Sequence, residues 1–194
     1  MIKRISLIIS AIFFIAAAIV FINALNKKNR SDKEKEISKE MIEFIVNRAE
    51  QYEKEILYNP VANQRCYFGK DSLNYFMYSD ICDTGKLFFY FSDRVCTPCI
   101  DNTIKIIKKC FPNYKKDSSI IFISPDFPKR LADDCYGKRL LILKTCKLGL
   151  PLKEEFPFFF KLNSNLEVIS VHVVVKVDFN RTIKYLQTHQ RVKQ

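Results

Sequence analysis

One short stretch constrains this chain more than any other. Five apolar residues, Leu87 to Phe91, lead into Cys96-Thr97-Pro98-Cys99, and apolar residues then recur at Ile100, Ile104, Ile107 and Phe111. A run of that length reads as a strand, and the i, i+4, i+7, i+11 spacing as one face of a helix. The Cys-x-x-Cys therefore falls where a strand ends and a helix begins. Unpaired backbone N–H groups and the positive end of the helix dipole favour a thiolate over a thiol there. Cys96 is placed to attack a disulfide, and Cys99, one turn further on, to resolve the mixed disulfide that results. Pro98 fits because the first helical turn needs no N–H from it.

The same two cysteines suit a structural zinc half-site or a plain disulfide. A zinc site normally takes a second closely spaced pair. The remaining cysteines (Cys66, Cys82, Cys110, Cys135, Cys146) form no such pair, and the histidines are His172 and His189. The strand–motif–helix context favours redox chemistry, which calls for no cofactor and no metal.

Strand, Cys-x-Pro-Cys and helix are followed roughly sixty residues later by Phe156-Pro157 before the apolar run Phe158 to Leu162. On these residues, and on the N-terminal apolar segment below, the chain resembles the membrane-anchored thiol–disulfide oxidoreductases of the TlpA-like thioredoxin family. The resemblance covers roughly the C-terminal 110 residues. It implies an α/β thioredoxin-like fold, a central mixed sheet flanked by helices, with a redox-active disulfide between Cys96 and Cys99. It also implies that Phe156 and Pro157 dock the substrate, with a cis bond before the proline, Pro151 being the other candidate. Two positions depart from the pattern. Val95 stands where Trp often precedes the first cysteine, and Tyr90 stands where thioredoxin itself has a buried Asp. Copper-delivering relatives of thioredoxin use two cysteines and a distant histidine. A copper carrier with His172 as ligand, or a non-catalytic partner-binding module, is thus the alternative function, although those proteins space their cysteines one residue wider. Glu154 and Glu155 stand just before the proline as candidate proton carriers.

Residues 5–25 are apolar apart from Ser6, Ser10 and Asn23, long enough to span a bilayer core. Ile22-Asn23-Ala24 lacks the small-x-small pattern of a cleavage site, so an uncleaved signal anchor over 1–30 is expected. Lys3 and Arg4 face Lys27, Lys28 and Arg30 across the span, and charge alone does not orient it. Seven cysteines point to an oxidising compartment, hence a domain on the extracytoplasmic, periplasmic side. The net charge of +11 comes with no nucleic-acid motif, so the expected partners are protein disulfides or dithiols, the membrane and an electron donor, not nucleic acid.

Residues 31–60 read as a charged helix with an apolar stripe (Ile37, Met41, Ile45, Ala49, Tyr52, Ile56), either a stalk or a helix packed on the domain. Residues 61–194 form the thioredoxin-like domain. Within it we expect an extra strand or hairpin between Val61 and Thr84, strands at Ser119–Ser124 and Arg139–Lys144, and a short helix around 129–135. A hairpin of Phe158–Leu162 with Leu166–Lys176 and a last helix capped by Asp178 or Asn180 complete it. Cys135 and Cys146 flank the Arg139–Lys144 strand as a candidate pair.

Overall fold

In the computed structural model, which describes residues 27–28, 34–69, 74–82, 85–125, 135–145, 147–151 and 156–191, the apolar run after Lys86 is a central strand. The order along the chain is helix α1 (34–56), β1 (Arg65–Phe68), β2 (Phe76–Met77), β3 (Leu87–Tyr90), α2 (Thr97–Cys110), β4 (Ile120–Ser124), β5 (Leu140–Leu143), β6 (Phe158–Leu162), β7 (Val168–Val173) and α3 (Phe179–Arg191). The strands form one mixed sheet in the order β2-β1-β5-β4-β3-β6-β7. β3 runs parallel to β4, and β4 to β5, while β6 and β7 continue the other side antiparallel. Strand, helix and parallel strand in sequence make β3-α2-β4 a crossover unit.

β3, β4 and β5 are buried at every residue, which is why none of them alternates in sequence. Successive side chains still point to opposite faces. Phe88, Tyr90, Ile121, Ile123, Leu141 and Leu143 enter one core cluster; Leu87, Phe89, Phe122, Leu140 and Ile142 enter the other, under α2 and α3. α2 buries Ile100, Ile104 and Ile107 in this second cluster, the face predicted from their spacing. Rings dominate the centre: Phe89 stacks on Phe159 at 4.7 Å and Phe88 on Phe160 at 5.1 Å, across the β3–β6 pairing.

The chain divides into two compact units, residues 1–44 and 45–194. In the first, Ile37, Met41 and Phe44 are exposed on α1. In the second, Ala49 and Ile56 are buried, with Ile45, Val46 and Tyr52 packed beside them, so this half of the stripe is core. The helix stops at residue 56, before Pro60, because Tyr58 takes a left-handed φ of 67° and turns the chain. Tyr58 N–H then donates to Val168 O and Val168 N–H to Asn59 O, tying this segment to β7.

The expected N-terminal hairpin is β1–β2, with Cys66 opposite Phe76. The second strand of the last hairpin is shorter than the expected Leu166–Lys176. Asn163 Oδ1 accepts the N–H of Asn165 and of Glu167, Leu166 takes φ 62°, and β7 begins only at Val168. Asp178 Oδ1, not Asn180, accepts the Arg181 N–H and caps α3. The anchor at 5–25, Glu154, Glu155, Cys146 and the expected helix at 129–135 up to residue 134 lie outside the described residues, and Cys135 itself bridges to Lys138. Among the described residues no helix is long and apolar enough to cross a membrane.

Candidate active site

The site is built by the end of β3. After Tyr90 the chain leaves the sheet through buried Phe91 and Ser92. Val95 N–H donates to Ser92 O, and Arg94 N–H to Ser92 Oγ, a tight turn that drops the Val95 side chain into the core. That burial is what Val95 supplies in place of a larger ring. Cys96 is the N-cap of α2, with extended backbone (φ −60°, ψ 132°), and its carbonyl accepts the N–H groups of Cys99 and Ile100. Pro98 sits in the first turn, and no acidic residue stands there to oppose a thiolate.

Cys96 and Cys99 are joined as a disulfide with Cα atoms 5.4 Å apart. They differ in access. Cys96 is exposed, whereas Cys99 is half-buried against the core beneath α2. Thr103, itself fully buried, donates its hydroxyl to the Cys99 carbonyl at 2.7 Å and pins the turn that carries the second sulfur. A more exposed outer cysteine and a less exposed inner one is the division of labour a two-step exchange requires.

The other described thiols are unlike this pair. Cys66 is buried within β1, and burial pushes its thiol up to about 12, with nearby Cys82 and Asp80 adding to the shift. Burial likewise pushes Cys82 up to about 12, against a smaller opposing pull from the Tyr78 hydroxyl and Lys86. Cys110, at the far end of α2, is raised by burial too. Such thiols stay protonated at neutral pH and are poor nucleophiles.

Pro157 reaches the site through sheet register. Tyr90 pairs with Phe158, so Pro157 lies one step beyond, alongside Phe91 at the same end of β3 from which the cysteine loop departs. It is buried, and its carbonyl accepts the Val174 N–H. The expected cis bond is not found: no peptide bond among the described residues is cis, Phe156–Pro157 and Leu150–Pro151 included. The trans form is the intrinsically favoured one for X–Pro, by about 0.5–1 kcal/mol. Phe156 is half-buried and turns its ring toward Tyr52 of α1, with centroids 6.3 Å apart. Tyr90 is buried on the opposite face from α2, its ring 4.8 Å from Phe158.

His172 is fully engaged inside the protein. Its Nε2 lies 3.0 Å from Thr182 Oγ1, its Nδ1 3.2 Å from Glu53 Oε1, and its ring stacks on Tyr185 at 4.9 Å. Both ring nitrogens have protein partners and the residue is only 3% exposed, so this histidine holds β7, α1 and α3 together rather than offering a ligand. The Glu–His–Thr series has the order of a hydrolytic triad, yet Thr182 is fully buried and no substrate reaches it. Among the described residues no three His, Cys, Asp or Glu side chains cluster as a metal site. Sequence inspection missed this network because Glu53 lies over a hundred residues from His172, and Thr182 reaches it only through the packing of α3 on β7.

No protein-family model and no curated protein matches the chain. Solved structures do resemble it. A thioredoxin-like protein of Porphyromonas gingivalis is 15% identical, covering 71% of this chain and 96% of its own, with a TM-score of 0.46. A protein of Aquifex aeolicus described as an electron transfer protein is 13% identical over 70% and 95%, TM-score 0.44. One of Chlorobium tepidum described as the thiol:disulfide interchange protein DsbE is 14% identical over 68% and 98%, TM-score 0.43. The chain's own strands form a mixed α/β sheet with the cysteine pair between β3 and α2.

Proposed function

We propose that this protein is a membrane-tethered thiol–disulfide oxidoreductase that acts on protein disulfides through Cys96 and Cys99, reducing them more readily than it forms them. The observation that carries the reading is the disulfide at the N-terminus of α2 with one exposed and one half-buried sulfur.

In the reducing direction the Cys96 thiolate attacks one sulfur of a client disulfide. A Cys96–client bond forms, the client S–S bond breaks, and the departing thiolate takes up a proton. The Cys99 thiolate then attacks Cys96 Sγ, the second client sulfur leaves, and the Cys96–Cys99 disulfide is restored. Two electrons pass from the protein dithiol to the client, and an external dithiol donor must return them. Pro157, beside the end of β3, is assigned to docking the client chain, with Phe156 next to it.

The direction follows from what surrounds the sulfur. Thr97 and Pro98 bring no charge, so the stabilisation of a Cys96 thiolate comes from backbone N–H groups, the helix dipole and the Cys99 thiol. Stronger stabilisation of the thiolate would favour the reduced form and make the couple a stronger oxidant. Residues 5–25 are assigned to the tether, with the domain on the extracytoplasmic side.

Turnover of insulin by the full chain in detergent, with a small dithiol as donor, tests the reading. Wild type is expected to reduce insulin and Cys96→Ser to be inactive. Full activity in Cys96→Ser would move the chemistry elsewhere.

A further inference from the structure

The outer hairpin of the sheet carries a strip of cations stacked on a ring. The Arg65 guanidinium carbon lies 4.4 Å from the centre of the Tyr75 ring, and Lys144 Nζ lies 5.6 Å from the same ring. All three side chains are exposed. Among the described residues no carboxylate forms an ion pair with either cation. Asp80, at the end of the same hairpin, turns back to accept the Met77 N–H. Stacking on Tyr75 holds the two charges side by side without neutralising them.

The strip sits on the same side of the molecule as the cysteine pair. Arg65 is two residues from Tyr67, and Lys144 two residues from Ile142, both of which contact the core beneath α2. Alternation along a strand therefore puts Arg65 and Lys144 on the α2 face of the sheet. The Lys144 N–H donates to Arg65 O just past the end of β5, and β5 and β3 run the same way. Strip and cysteine loop thus share the carboxyl end of the parallel strands. The footing is firm: Gln64, next to Arg65, is buried, accepts the Thr145 N–H at 3.1 Å and donates to Lys147 O at 2.5 Å. Lys147 adds a third exposed cation here.

We propose that Arg65, Tyr75 and Lys144 form a docking strip for an acidic segment of the client polypeptide whose disulfide is presented to Cys96. Two fixed charges complement neighbouring carboxylates, and the open ring face edge takes the side chain between them. That the segment belongs to a client rests on the thiol–disulfide reading; the preference for acidic polypeptide does not.

The test uses the full chain and two labelled peptides with the same disulfide, one flanked by Asp and Glu, the other by Asn and Gln. Fluorescence anisotropy gives binding, and thiol release gives reduction. Wild type is expected to bind the acidic peptide about fivefold more tightly, a margin that shrinks as salt rises from about 0.05 to about 0.5 M. Arg65→Ser with Lys144→Ser should erase the margin, and Arg65→Glu with Lys144→Glu should transfer it to a Lys-flanked peptide. Cys96→Ser should keep it. If wild type shows the margin yet reduces neither peptide, the strip stands and the redox reading falls. Equal binding of both peptides by wild type, or an undiminished margin in the double serine variant, overturns the strip. So does a preference for an anionic oligonucleotide or anionic vesicles with none for the acidic peptide.

Discussion

Glu53 of α1 and His172 of β7 meet at 3.2 Å, carboxylate oxygen to Nδ1, inside the domain. The same Glu53 oxygen accepts the Val173 N–H at 2.7 Å, and its other oxygen takes Arg181 of α3 at 2.5 Å. One carboxylate therefore joins a helix, the outermost strand and the last helix. Beside it α1 and β7 line a cleft of about 450 Å³ that includes Glu50, Lys54 and Arg181. Glu53→Ala removes the acceptor of the Val173 N–H and leaves Arg181 with only the Glu50 carboxylate at 3.7 Å, and is expected to cost about 2–3 kcal/mol. Urea denaturation measures it. A change below about 0.5 kcal/mol, the usual effect of a surface substitution, would contradict this role.

Pro157 stands next to the cysteine loop through register alone, so its replacement separates docking from folding. Pro157→Ala should keep the melting temperature within a few degrees and lower kcat/KM for a protein disulfide about tenfold, equivalent to about 1.4 kcal/mol in the barrier. Reduction of a small disulfide such as 5,5′-dithiobis(2-nitrobenzoate) should change much less. Equal losses on both substrates would mean that Pro157 shapes the cysteine loop rather than receiving the client.

The Cys66 and Cys82 thiols are held up to about 12 in the fold, against 9.0 for the ordinary thiol. The sign follows. Between these values the unfolded chain has released its protons and the native chain has not, so stability falls as pH rises. The contribution is complete below pH 9 and is lost as pH rises toward 12. Cys82→Ala should flatten the decline in unfolding free energy between pH 9 and 11 relative to wild type. Parallel curves for the two proteins would show that this thiol is not raised.

Residues 5–25 should keep the protein in the membrane fraction through a carbonate wash, with the domain digestible by protease added on the outer side. Release by the wash would remove the tether, and protection of the domain would place the cysteines on the reducing side.

The centre of the fold was legible because burial and periodicity coincide there. Leu87–Phe91, the Ile100–Ile104–Ile107 face and Ser119–Ser124 lie within a residue or two of β3, α2 and β4. In α1 the same logic reaches its limit. Ile37, Met41, Ile45, Ala49 and Ile56 follow one period, yet only the residues from Ile45 onward are packed in the domain. Period says which face is apolar, not whether anything covers it. Leu166 in a left-handed conformation gives no signal in sequence, because the Asn163 side-chain bonds and the backbone bonds of Leu166 to Asn163 and Val61 that hold it exist only in the folded turn. The His172 partners come from α1 and α3, and no spacing rule links residues that only the fold brings together.

The central claim is that Cys96 is the attacking thiol and Cys99 the resolving one, and trapping tests it most directly. Cys99→Ser protein, reduced and then mixed with oxidised client under non-reducing conditions, is read by gel and by peptide mass spectrometry. The predicted result is a stable mixed disulfide mapped to Cys96 and absent when Cys96→Ser is added. Adducts mapped to Cys66, Cys82 or Cys110, or none at all, would contradict it.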